Sequence, residues 1–93
     1  MPISTNEIRV GDTFITSEEN LLLKVIGVAP DQKGRLRVRY QYKSALSVGW
    51  PFISGDPAGS LSYAEAFARR CKKCLCAADL DRLRLRGILF PHE

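Results

Sequence analysis

Two stretches of the chain carry residue types whose spacing could do chemistry. Residues 34–43, GRLRVRYQYK, place Arg35, Arg37, Arg39 and Lys43 on one parity, with Leu36, Val38, Tyr40 and Tyr42 between them. Residues 71–76, CKKCLC, crowd all three cysteines into six positions beside Arg69, Arg70, Lys72 and Lys73. The first pattern has the two-residue period of a strand, so its cations would share a face. The second has the Cys-x-x-Cys spacing of half a zinc site.

Same-side neighbours on a strand stand about 6.6 Å apart. That is inside the screening length of roughly 8 Å at physiological salt, so the cations repel one another unless something offsets them. The stretch Lys33 to Ser54 holds five basic residues and no acid, and Ala66 to Ala78 holds four and no acid. The preceding apolar strand offers Lys24 and no carboxylate, while Glu18 and Glu19 sit at its mouth and reach one end only. The missing anions are therefore expected from outside. Phosphates of DNA or RNA fit, because arginine grips phosphate oxygens with a bidentate fork and Lys and Arg displace condensed counterions. An acidic protein partner fits the same charge pattern, and so does a solvated basic surface.

Arg35, Arg37, Arg39, Lys43, Arg69, Arg70, Lys72 and Lys73 are thus the candidate residues for nucleic acid or another anionic partner. Tyr40, Tyr42, Trp50 and Phe52 fall on the core parity. Trp50, between Gly49 and Pro51, is the aromatic best placed to show an edge and act as an interaction residue. The competing function class is a small protein-interaction domain: an inhibitor, an accessory subunit or a homo-oligomer that covers Trp50 with a second copy.

The cysteine pair has two readings. With Cys76 and the only histidine, His92, it supplies four zinc ligands. Inside a helix, Cys71 and Cys74 share a face as small buried hydrophobes, which is the reading adopted. A redox role needs a helix N-terminus to lower the thiol pKa, whereas this pair lies toward a predicted C-terminus. No nucleophile elbow, zinc-protease motif or phosphate loop is present, so no catalytic residue and no cofactor are assigned and a non-enzymatic module is expected.

The elements that must position these residues follow from pattern. Ninety-three residues with 45% hydrophobic and 26% charged content, and a net charge of +4, fit one domain on a single core. Ser4 and Glu7 could cap one helical turn, but EIRVGDTFIT reads better as an extended lead-in, a Gly11–Asp12 turn and a strand through Phe14 and Ile15. Leu21 to Ala29, apolar on both parities, predicts a central strand. PDQKG predicts the hairpin loop into the basic strand, with Gly34 at positive φ.

The alternation resumes at Leu46, Val48, Trp50 and Phe52, predicting another strand with Pro51 at an edge. SGDPAGS predicts a loop. Ser62 and Glu65 predict a capping box for a helix over 63–76, burying Tyr63, Ala64, Phe67, Ala68, Cys71 and Leu75. Asp79 predicts the N-cap of a short helix over 79–86, closed by Gly87 with Leu83 against Ile88.

The fold class expected is α+β: a small antiparallel sheet or SH3-like half-barrel over about the first 55 residues, covered by one or two C-terminal helices. In architecture alone the strand half resembles small barrels of the Tudor or KOW type, with no family motif beside it. The N-terminal stretch MPISTNEIRV is polar and the longest apolar run, LLLKVIGVA, is interrupted by Lys24, which predicts a cytoplasmic chain without a membrane span or secretion signal.

Overall fold

The computed structural model of the chain describes residues 3–54 and 60–93. A single 3₁₀ turn, Thr5–Glu7, precedes β1 (Thr13–Thr16), β2 (Leu21–Pro30), β3 (Leu36–Ser44), β4 (Ser60–Tyr63), α1 (Ala64–Arg70), β5 (Cys71–Cys74) and α2 (Ala77–Leu85). The strands form one antiparallel sheet in the order β4-β3-β2-β1-β5. This is the expected α+β fold, with the helices C-terminal to most of the strands.

β2 is central, as its double-sided apolar run predicts. Adjacent Leu22 and Leu23 are both fully buried, on opposite faces of the sheet. Leu23 and Val25 join Phe14, Val38, Tyr40, Phe67 and Cys71 on the face covered by α1. Leu22 joins Ala45, Leu75, Ile88 and Leu89 on the face covered by α2 and the segment after it. The single core expected is therefore two clusters divided by the sheet. Phe67 anchors the first, edge-on to Phe14 at 5.7 Å and tilted over Tyr40 at 5.3 Å between ring centroids.

The β2–β3 hairpin closes as predicted, with Gly34 at φ 81°. Asp31 Oδ1 accepts the backbone N–H groups of Lys33 and Arg35, both at 2.9 Å. Ser4 and Glu7 do cap the first turn, and the extended chain begins only beyond it.

Three predicted elements are corrected. Residues 46–52 form no strand, because the Ser44 hydroxyl accepts the N–H groups of Leu46 and Ser47 and turns the chain away from the ladder. Only Ile53 pairs back, to Tyr42, while Leu46, Val48 and Trp50 lie exposed. The helix over 63–76 stops at Arg70; Cys71 turns extended at φ −91°, ψ 137°, and Cys71–Cys74 pairs with β1, filling a sheet edge otherwise left with unpaired backbone groups. The Ser62–Glu65 capping box does not form: Tyr63 is the N-cap, and Ser62 donates to the Tyr63 carbonyl instead.

The last helix starts earlier than predicted, with Cys76 as N-cap and Asp79 at the third helical position, accepting the Cys76 N–H at 3.2 Å. Its C-terminus closes as predicted. Gly87 stands at φ 78° and the Ile88 N–H reaches the Leu83 carbonyl at 2.9 Å. The loop predicted from SGDPAGS falls largely on residues 55–59, outside the described residues. No described helix is long and apolar enough to cross a membrane.

Candidate functional site

α2 and residues 88–93 cover only part of the second sheet face. The rest is open, and register determines what lines it. Arg37 pairs with Ala29 on β2 and Tyr63 on β4, and Arg39 pairs with Gly27 and Leu61. A bulge between Val25 and Gly27 inserts Ile26 as the extra residue, so that Gly27 and not Ile26 sits opposite Arg39. The result is a trough of about 440 Å³ with a low floor of Gly27 and Ala29, walled by Arg37, Arg39, Leu61 and Asp31. A second hollow of about 320 Å³ shares Arg37 and Asp31 with it and adds Lys33 and Tyr63.

Tyr63 orders the arginines. Its ring centroid lies 3.8 Å from the guanidinium carbon of Arg35 and 4.3 Å from that of Arg37. Arg37 also donates from Nη2 to the Tyr63 hydroxyl at 3.3 Å. Its Nε is enclosed without a hydrogen bond.

The expectation that no acid neutralises the ladder is corrected. Glu65 of α1 lies 3.7 Å from Arg35, and Asp31 of the hairpin loop lies 3.8 Å from Arg37. Both separations exceed a hydrogen bond, and the Arg35–Glu65 pair is more than half exposed, so its contribution to stability is about 0–1 kcal/mol. Arg35 and Arg37 thus each have a carboxylate beside them.

Lys43, placed in the ladder by its parity, is not part of this surface. It is 1% exposed because the C-terminal segment folds over that end of the face. Its ammonium lies 2.7 Å from Glu93 Oε1, 5.1 Å from the Phe52 centroid and 4.8 Å from that of Phe90.

The second basic group lies elsewhere. Arg70, at the end of α1, donates to the Tyr40 hydroxyl at 2.9 Å. Lys72 and Lys73 of β5 pair with Glu19 at 3.0 Å and Asp79 at 3.4 Å; Arg69 is exposed beside them in sequence. Since β2 and β1 separate β3 from β5, roughly 14 Å of sheet lies between the β3 arginines and Lys72 and Lys73, while Arg70 meets β3 on the opposite, α1-covered face. The eight candidate cations therefore do not form one surface. Trp50, 54% exposed, lies on a third region: neighbouring Gly49 donates to the Gly87 carbonyl beyond α2.

The cysteines separate by environment. Burial pushes the Cys71 thiol up to about 12, and burial together with the Asp12 carboxylate raises Cys74. Cys76 is exposed and donates to Asp79. The thiol and backbone N–H of Cys76, with Arg82 and Lys73, hold Asp79 well below the usual carboxylate range. Among the described residues no three His, Cys, Asp or Glu side chains gather to hold a metal, and His92 stacks on Phe90, so the alternative set Cys71, Cys74, Cys76 and His92 is not assembled.

Sequence reasoning missed Asp31, Glu65, Leu61, Gly27 and Ala29 as site residues, and placed Tyr63 in the core. The alternation of SLSY before α1 was the available signal for β4. Compared with known proteins, the chain matches no family model, no curated protein and no solved structure.

Proposed function

We propose that this chain is a non-enzymatic binding module that engages nucleic-acid phosphates through the open trough of its sheet, with Arg37 and Arg39 as the contacting side chains and Lys33 and Arg35 beside them. One observation carries the reading. Arg37 and Arg39 wall an open trough of about 440 Å³, and the carboxylate beside Arg37 stands 3.8 Å from its Nε, too far for a hydrogen bond that a phosphate would have to break. Arginine in this setting is a bidentate donor waiting for a planar or tetrahedral oxyanion. The weak ion pairs with Asp31 and Glu65 keep the guanidinium groups soluble and aligned when no ligand is bound, and a phosphate displaces them at small cost.

Equilibrium titration with random-sequence oligonucleotides at low ionic strength tests this directly. Binding is expected, weakening steeply as salt rises. A flat titration at low salt overturns the proposal.

A second reading rests on a different observation: Leu46, Val48 and Trp50 are 68%, 66% and 54% exposed in one turn. A protein partner, in the simplest case a second copy of the chain, would cover them. Sedimentation at several concentrations reads this out, and a strict monomer removes the homo-oligomeric form.

A further inference from the structure

We infer that the nucleic acid taken by the trough is a duplex, held by its backbone, and not a single strand held by stacked bases. The inference rests on the phosphate-binding reading and narrows its ligand.

Single-strand binders combine a basic groove with open aromatic faces on which bases stack. Here the trough is lined by no aromatic ring, and Tyr63 of the adjoining hollow already carries the guanidinium groups of Arg35 and Arg37 at 3.8 and 4.3 Å from its centroid. The other rings are also withdrawn. Tyr40 is 7% exposed, lies on the opposite sheet face against Phe67, and accepts from Arg70. Phe52 and Phe90 are occupied by Lys43. Trp50 is exposed but lines neither the trough nor the adjoining hollow; its neighbour Gly49 is bonded to Gly87. The remaining apolar wall, Leu61, is aliphatic.

What the trough does offer suits a preformed backbone. Arg37 and Arg39 project from β3 at a backbone repeat of about 6.6 Å, close to the spacing of successive phosphates along one nucleic-acid strand. The ladder fixes their backbone positions, and Tyr63 holds the Arg37 side chain. A duplex brings its phosphates already in line, whereas a free strand loses conformational entropy on alignment and recovers none of it through stacking. Backbone contacts of this kind position the partner without reading its sequence.

The test uses the full chain with a labelled random-sequence DNA duplex and, separately, one of its strands alone, by fluorescence anisotropy at low salt. Duplex affinity higher by about tenfold is expected, and the Trp50→Ala variant should leave it unchanged. A strand bound as tightly as the duplex, or a loss of binding in Trp50→Ala with an unchanged melting curve, overturns the inference and leaves the phosphate reading standing. Absence of binding to both probes overturns the reading and the inference with it.

Discussion

Lys43 carries the sharpest energetic consequence of a single side chain in this molecule. A fully desolvated ammonium is tolerable only because Glu93 meets it at 2.7 Å and the faces of Phe52 and Phe90 flank it. Burial alone would raise the Glu93 carboxyl. The hydrogen bond from Lys43, the backbone N–H of Phe90 and the charge of Lys43 outweigh it and hold that carboxyl below its ordinary range. A depressed carboxyl contributes stability that is present above its unfolded pKa, near 4.3, and is lost as pH falls through the folded value. Glu93→Gln should therefore cost about 3–5 kcal/mol near neutral pH by leaving a buried charge unpaired. The double variant Lys43→Met, Glu93→Gln should recover most of that and flatten the acid limb of a melting-temperature profile below pH ~4. Equal destabilisation in the single and double variants would show that the pair is not the source. Parity alone assigned Lys43 to the same row as the arginines, correctly. That Ile88 and Leu89 would bury this end of the row depends on where α2 docks, which no local pattern encodes.

At the scale of elements, β2 and the hairpin were legible because period and turn chemistry agree there: apolar residues on both parities, then Asp31 and Gly34 at the positions a tight loop requires. β5 was not. ARRCKKCLC has helical spacing and good helix formers, yet β1 needs a partner on its outer edge, and Cys71–Cys74 supplies it. The change from helix to strand divides the cysteines: Cys71 goes into the first core, and Cys76 becomes the exposed cap of α2. Alkylation with iodoacetamide at mildly alkaline pH should accordingly label Cys76 first and Cys71 only after denaturation, as read by mass spectrometry of the modified peptides. Rapid labelling of Cys71 in the native protein would contradict its place in the first core. The strand expected at 46–52 failed for a related reason. Its alternation is real, but the Ser44 hydroxyl ends the ladder first, and the apolar residues are left facing solvent.

Taken as a whole, the molecule splits these candidate cations into two groups: the β3 group borders a trough of about 440 Å³, and Lys73 of the other borders a hollow of about 210 Å³ with Arg82 and Arg86, where Glu19 and Asp79 stand beside it. The cations of the β3 group were readable from sequence, while the acids beside them, Asp31 and Glu65, come from a loop and a helix brought in by the fold. A net charge of +4 therefore says less about partners than the position of the bulge at Ile26 does, because the bulge puts glycine under Arg39 and opens the floor. The most direct measurement of this account is the salt dependence of oligonucleotide binding for the native chain and for Arg37→Ala combined with Arg39→Ala. The account predicts that the slope of log affinity against log salt falls by about two in the variant, with affinity reduced at every salt concentration; an unchanged slope would place the bound phosphates elsewhere and contradict it.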